Sequence, residues 1–438
     1  MEFVVVALFC VFLAACVAAG QSVFLAMCAG LVLFVLYGLW RGCRARELAA
    51  SAFAGVRLVW PVIVILMLIG IISAAWRASG TIAYIVAWAA GIVSPEWLLI
   101  LAFWCNALMS FLTGTSFGTV SIMGVVFMSI GHAVGADPVI MAGAIVSGIY
   151  FGDRCSPMSS SAVFVAAVTG TSLYENLGRM LLTGAVPFAA ASLAYFFIGM
   201  FDHPQTVDTS AVRALMAGEF SLSAWSLLPV TALGLLAFRR IKLPIVMLVS
   251  IAAAAAVALV HEGLTAEAFL SAVLSGYSAR DAQLAAMMNG GGAASMLAVC
   301  GIAAVSASFS GIFRVTGLLA PFKRHVAGLA RAASPMGAMI AAAIGAAMLA
   351  CNQLLGVMLT RDLCVDLYDR KRLAIGLENT SIVIAGLVPW SIASSVPLET
   401  LAAPASCLLY AFYVWLLPLW SLAAQALPAG RARSALGV

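Results

Sequence analysis

Three short polar stretches interrupt an otherwise apolar chain, and each is built of residue types that can hold an ion. The first, residues 113–121, reads Thr-Gly-Thr-Ser-Phe-Gly-Thr-Val-Ser, with five hydroxyls and two glycines between apolar runs. Glycine lets a helix unwind, and the freed carbonyls can join the hydroxyls of Thr113, Thr115, Ser116 and Thr119 around a hard cation such as Na⁺. The same composition also suits a close crossing of two membrane helices, where small and hydroxyl residues let backbones approach.

The second stretch, 151–161, reads Phe-Gly-Asp-Arg-Cys-Ser-Pro-Met-Ser-Ser-Ser and is entered straight from an apolar run. Pro157 lacks an amide hydrogen and disfavours helix just before it, so the chain is expected to break at Cys155 and Ser156. Asp153 at membrane depth is costly unless paired or functional. It is a candidate ion ligand with Ser156, Ser159, Ser160 and Ser161; an internal pair with Arg154, or a helix cap, is the alternative. Thr115, Ser116 and Asp153 together make the candidate Na⁺ site.

The third stretch is Leu377-Glu378-Asn379-Thr380-Ser381, followed by Val388-Pro389-Trp390-Ser391. Asn379 and Thr380 can supply neutral oxygens. Glu378 lies six residues beyond Arg372, so it reads either as a solvated carboxylate near the interface or as a site residue. Asn352 joins the candidates through a faint internal echo. Cys105-Asn106-Ala107-Leu108 leads to Leu112-Thr113, and Cys351-Asn352-Gln353-Leu354 leads to Leu359-Thr360, as repeated halves of a secondary transporter would.

These groups must be positioned by membrane helices. The 438 residues are 64% hydrophobic and 9% charged, against roughly 25% charged in soluble domains. At roughly 20 apolar residues per span, the chain has room for about ten to twelve. The expected class is an all-α polytopic membrane protein of two related halves, with broken or re-entrant helices at 81–93 and 373–396. The net charge of +5 is too scattered for nucleic-acid binding and reads as topology. Basic clusters at 41–57, 239–242, 323–331 and 370–372 belong in the cytoplasm by the positive-inside rule, as do Arg431 and Arg433. The segment 202–223, carrying Asp202, Asp208 and Glu219 against Arg213, should face outside. It divides an N-terminal half, 1–201, from a C-terminal half, 224–438.

Other chemistries find little support. The ten cysteines are dispersed singly, as small buried hydrophobes rather than a disulfide frame. His132, His203, His261 and His325 have no metal-ligand spacing. Asn289-Gly290-Gly291-Gly292 lacks the Lys-Ser/Thr ending of a phosphate loop, and no GxSxG or HExxH occurs, so an enzyme is not expected. Leu13-Ala14-Ala15-Cys16 could pass for a lipoprotein cleavage box, but Glu2 replaces a basic start and 3–19 reads as an uncleaved first span. Tryptophans such as Trp40, Trp76, Trp97 and Trp420 read as interfacial anchors.

In combination the motifs are recognisable. Gly152-Asp153-Arg154-Cys155-Ser156-Pro157-Met158-Ser159 resembles the Gly-Asp-Lys-x-Ser-Pro-x-Ser signature of the NhaC-type sodium/proton antiporter family, within the ion transporter superfamily. Residues 113–119 are similar to its Thr-Gly-Ser-Ser-Trp-Gly-Thr. Gly291-Gly292 with Ser295-Met296, and Glu378-Asn379-Thr380-Ser381 with Pro389-Trp390, continue the likeness in order. The resemblance implies Na⁺/H⁺ antiport with Na⁺ or H⁺ as coupling ion and no other cofactor. It also implies a multi-pass place in the cell (inner) membrane. The partners expected are the lipid bilayer and a small ion or small organic solute, without nucleic acid; a homodimer is left open.

The chain departs from that pattern at Ser160 and Asn379, where the family has acids, at Val163, where it has an amide, and at Gly290, where it has Arg. A neutral, serine-rich site also fits Na⁺- or H⁺-coupled transport of a small organic acid or amino acid, the runner-up. Asp153 and Glu378 are the carboxylates left within the motifs. Asp153, with its unbroken apolar approach from Pro138, is the one expected to carry the proton.

The charge bias makes a topology prediction. In a cysteine-free variant, a single cysteine at Ser210 reacts with a membrane-impermeant maleimide from the outer face; labelling from the cytoplasmic face alone reverses the assigned orientation.

Overall fold

A bilayer offers the backbone no water, so a spanning chain must satisfy its own amides and carbonyls. The apolar runs do this as helices. The computed structural model describes residues 2–19, 21–89, 94–201, 209–239, 241–281, 284–285, 288–318, 322–332, 334–350 and 352–425. Among them, seven helices are long and apolar enough to cross a membrane, or nine if two bent pairs are each one span. Arg240, Cys351, Arg431, Arg433 and residues 202–208 lie outside the described residues. Of the remaining linker segment, Thr209–Glu219 is helical.

The first part of the chain runs α1 (Glu2–Ala18), α2 (Val23–Trp40), α3 (Ala45–Ala78) and α4 (Thr81–Ala89). Then follow α5 (Pro95–Thr113), α6 (Ser116–Thr119), α7 (Val125–Ala133), α8 (Pro138–Cys155), α9 (Ser160–Thr169) and α10 (Leu173–Phe201). After α11 (Thr209–Glu219) come α12 (Leu228–Phe238), α13 (Leu243–Val260), α14 (Ala266–Ser275), α15 (Leu297–Thr316) and α16 (Phe322–Ala332). The last group is α17 (Pro335–Ala350), α18 (Gln353–Cys364), α19 (Arg370–Asn379), α20 (Ser381–Ile384), α21 (Ile392–Thr400) and α22 (Phe412–Gln425).

The long helices α3 and α15 cross the membrane antiparallel and almost touch. A side chain on Gly55 would strike the Ala307 carbonyl, on Gly70 the Gly292 carbonyl, and on Gly311 the Ser51 carbonyl. Glycine at these positions lets two backbones pack without intervening side chains, the close approach that substitutes for a hydrophobic driving force inside lipid. Around this seam Phe9, Phe34, Phe309 and Phe313 interlock, with ring centroids 4.8–6.1 Å apart. Outward, Leu25, Val32, Leu36, Trp60 and Leu248 are exposed, as a lipid-facing surface requires. Trp76 is an exception to the anchor reading: it is buried and donates to the Ser250 hydroxyl at 2.9 Å.

The other elements build two hairpins and two broken spans. Gly148 and Gly152 of α8 sit against Phe103–Ala107 and Ser110–Phe111 of α5, so these helices run parallel. Gly124 meets Ile145 and Gly131 meets Met141, so the α6–α7 arm returns antiparallel to α8. The chain therefore turns back at Gly114, whose φ of 68° suits glycine. Helix α8 stops at Cys155, one residue beyond the apolar approach to Asp153 and Arg154, and α9 resumes the span after Pro157, where the sequence places the break.

The same order recurs with opposite sense near the C-terminus. The arms α17 and α18 form a hairpin, with Gly356 against Ala347. Gly376 of α19 lies against Met339, and Trp390 donates to the Met348 carbonyl at 3.1 Å, so α19 runs beside α17 as α8 runs beside α5. Residues 380–391, with Pro389, break the second span. The structural counterpart of Asn352 is Thr115, not Asn106. Thr115 (φ −147°, ψ 127°) and Asn352 (φ −143°, ψ 132°) both cap the returning arm of a hairpin. Asn106 lies inside α5 and donates to the Ala102 carbonyl. The Cys-Asn echo in the sequence is therefore out of register with the folded repeat.

The α3–α15 seam sets a stability test. Gly55→Leu and Gly311→Leu should each lower the thermal unfolding temperature in detergent through overpacking of about 1–3 kcal/mol or more. Gly234→Leu, whose added carbon meets nothing within 4 Å, should leave it near wild type.

Candidate ion-binding site

The breaks bring several of the sequence candidates, Asp153, Ser159 and Ser161 among them, to one buried region. Ser159 caps α9, accepting from the amides of Ser161 and Ala162. Its hydroxyl reaches Asp153 Oδ1 at 3.3 Å and Ser161 Oγ at 2.6 Å. Ser161 Oγ in turn donates to the Asp153 carbonyl at 3.2 Å. From the tip of the second hairpin, Gln353 Nε2 donates to Asp153 Oδ2 at 3.2 Å and to the Ile382 carbonyl at 3.1 Å. One carboxylate oxygen from the first broken span and one carbonyl oxygen from the second thus accept from the two N–H groups of a single amide nitrogen. All of Asp153, Ser159, Ser161 and Ile382 are buried.

Asp153 and Arg154 point apart, as neighbours on a helix do. The guanidinium is fully buried and fans out over three other helices. It donates to the Met180 carbonyl at 2.9 Å, Thr183 Oγ1 at 2.7 Å, Asn379 Oδ1 at 2.5 Å and the Tyr413 hydroxyl at 3.1 Å. Every one of these acceptors is neutral. Asn379 completes its own set by donating to Ser421 Oγ at 2.9 Å. The amide at 379, where the family pattern has an acid, is thus both an acceptor for Arg154 and a donor to α22, a pair of roles no single carboxylate can fill.

Glu378 is not at the interface, the first of its two sequence readings. It is completely buried, and neither of its carboxyl oxygens has a hydrogen-bond partner. Arg154 and Asp153 both lie within its electrostatic reach. The reason is that α19 enters the protein directly from its Asp369-capped, basic first turn, so that two turns later the chain is already enclosed by α9, α10 and α17.

The remaining candidates are more local. Ser156 Oγ accepts from the Met158 amide, and Thr380 Oγ1 donates to the Gly376 carbonyl. Asn352 caps α18 at the Leu354 and Leu355 amides. In the hydroxyl cluster, Thr113 donates to the Met109 carbonyl, Thr119 to the Thr115 carbonyl and Ser121 to the Phe117 carbonyl, while Thr115 caps Gly118. Ser116 is buried beside them. The cluster meets the first broken span where Gly114 packs on the Met158 backbone, but none of its hydroxyls is bonded to Asp153. Ser160 is exposed, on the opposite side of α9 from Ser161.

Gln353, Thr183, Tyr413 and Ser421 were not singled out from the sequence. Gln353 could have been, as a polar neighbour of Asn352 at the end of an apolar run; the other three are single polar residues within long apolar helices.

Known proteins show the same lineage. The sequence matches the Na⁺/H⁺ antiporter family across residues 1–148 and 148–424. The chain belongs to this family. It is 27% identical over 402 residues to the Na⁺/H⁺ antiporter NhaC of Alkalihalophilus pseudofirmus, covering 89% of this chain and 86% of that protein. It is 25% identical over 397 residues to NhaC of Bacillus subtilis, covering 88% of each. It is also 26% identical over 391 residues to the malate-2H⁺/Na⁺-lactate antiporter of Bacillus subtilis, covering 84% of this chain and 83% of that one. This family member is therefore a multi-pass secondary transporter of the NhaC type.

The Arg154 network makes a quantitative contrast among the candidate residues. Asn379→Leu leaves a buried guanidinium N–H without its acceptor and takes one donor from Ser421 Oγ, which keeps its bond to the Leu417 carbonyl; it should cost about 1–3 kcal/mol, read as a lowered unfolding temperature in detergent. Ser160→Ala, on an exposed face, should stay within about 0.5 kcal/mol of wild type.

Proposed function

We propose that this protein exchanges Na⁺ for H⁺ across the cell membrane at the region between the two broken spans. It would do so with 1–201 and 224–438 acting as two inverted halves. The supporting observation is a charge count. Two buried carboxyls, Asp153 and Glu378, share the region with one buried guanidinium, Arg154. With both carboxyls ionised the region holds one net negative charge, and a low-dielectric interior tolerates that only with a positive guest. Na⁺ and H⁺ compete for that one vacancy in charge, which is the condition for obligatory exchange.

The hard oxygens at Asp153, Ser159 and the Ile382 carbonyl suit Na⁺. Transport of a small organic acid, suggested by the malate/lactate relative, is less well supported. A carboxylate solute would want a buried cation with a pair of donors free, and both terminal nitrogens of Arg154 are directed at Met180, Thr183, Asn379 and Tyr413, which leaves only the Nε–H unpartnered.

Reconstituted into proteoliposomes with an internal pH indicator, the protein should dissipate an imposed pH gradient on addition of Na⁺ and not of K⁺. Asp153→Asn should slow this at least about tenfold, the factor corresponding to 1.4 kcal/mol in barrier. Uptake of labelled malate or lactate, with no Na⁺-driven proton movement, would instead support the organic-acid reading.

A further inference from the structure

We propose that the two carboxyls divide the work: Glu378 carries the proton, and Asp153, with the Ile382 carbonyl and the Ser159 hydroxyl, takes the cation. This deepens the exchange reading and rests on it. It also reverses the expectation from the sequence, where the apolar approach to Asp153 singled out that residue for the proton.

The division follows from what each carboxyl touches. Asp153 has donors on both oxygens, the Ser159 hydroxyl at 3.3 Å and the Gln353 amide at 3.2 Å, and the Gln353 nitrogen also joins it to the Ile382 carbonyl. Donors aimed at both oxygens are the surroundings of an anion, and convergent oxygens from two broken helices are the surroundings of a cation. Glu378 has neither. Both its oxygens are buried without a partner, and the hydroxyl of Ser381, three residues on, is likewise unbonded. A bare buried carboxylate bears its whole desolvation cost, whereas the protonated carboxyl is neutral and bears far less.

Arg154 does not relieve Glu378 by contact: its two terminal nitrogens are directed at neutral acceptors on α10, α19 and α22, and its Nε–H is bonded to no described residue, Glu378 included.

Few other groups could answer for the proton. Asp153, Arg154 and Cys155 face Glu378 from α8, and Tyr413 of α22 lies beyond Arg154. Helices α9, α17 and α20 contribute no titratable residue. The charged side chains of α10 and α18 are engaged elsewhere: Arg179 pairs with Glu175, which also pairs with Lys371, and Arg361 pairs with Asp362 near the end of α18.

The exchange step then balances. Na⁺ entering at Asp153 adds a positive charge beside Glu378, the Glu378 O–H bond breaks, its electron pair stays on the carboxylate, and the proton leaves to water. Departure of Na⁺ reverses each movement.

The test uses the purified full-length chain in weakly buffered detergent solution, with NaCl added, proton release followed by a pH indicator and Na⁺ binding by calorimetry. Wild type should bind Na⁺ and release protons. Glu378→Gln should still bind Na⁺ while its proton release falls at least about tenfold, and Asp153→Asn should lose Na⁺ binding. Release by Glu378→Gln at the wild-type level overturns the assignment. Should Glu378→Gln fail to fold, Glu378→Asp decides: a displaced pH midpoint of proton release is expected, and an unmoved midpoint rejects the role. A wild-type protein that binds no Na⁺ at all would strike the exchange reading itself, a result distinct from either variant outcome.

Discussion

A guanidinium sealed inside a membrane protein and bonded only to neutral acceptors is the constraint around which the region of the two broken spans is organised. Burying the terminal nitrogens of Arg154 without acceptors would be costly at that depth, and α8, α10, α19 and α22 meet at this residue to supply them, with the Nε–H alone left unpartnered. Met180 and Thr183 come from one turn of α10, Asn379 from the last turn of α19 and Tyr413 from the first turn of α22. Gly184, whose missing side chain leaves room for Arg154 and the Tyr413 hydroxyl, completes the fit. With that junction fixed, Asp153 on the adjacent residue is aimed the other way, at the tip of the second hairpin.

The broken helices follow the same accounting of polar groups. Each break frees amides and carbonyls that lipid cannot satisfy. Thr115, Ser159 and Asn352 answer for the amides by capping, each with a side-chain oxygen on backbone N–H groups of the following helix. The carbonyl of Ile382 is left to the Gln353 amide. Caps made from neutral side chains keep the half-helix ends in place without adding charge, so the net charge of the region is set by Asp153, Glu378 and Arg154 alone among the residues gathered there.

Packing elsewhere is of a different kind. The seam between α3 and α15 relies on glycine and on ring contacts among Phe9, Phe34, Phe309 and Phe313, with no charged group at its centre. Close backbone contact gains dispersion along the whole crossing. The hairpin-bearing region instead carries the unpaired oxygens of Glu378, Ser381, Ser391 and Ser394. Such groups are poor stabilisers, and they concentrate in the second broken span.

The sequence by itself determined that the chain spans a membrane as helices, because 64% hydrophobic residues leave no other way to satisfy a lipid-embedded backbone. It also pointed to the break after Cys155, since Pro157 disfavours helix at the residues just before it, and it carried the ordered motifs of the antiporter family. What it could not determine was which polar residues meet. Asp153 and Arg154 are adjacent in the chain yet bond to different helices, and Gln353 reaches Asp153 across 200 residues. The Cys-Asn echo matched letters at Asn106 and Asn352, whereas the fold matches the caps Thr115 and Asn352, because backbone geometry at a hairpin tip accepts either side chain as a capping oxygen. Glu378 reads from spacing as near the interface. Only the enclosure of α19 by its neighbours decided that its carboxyl is buried and bare, because burial is a property of what surrounds a residue and not of its distance along the chain from the last arginine.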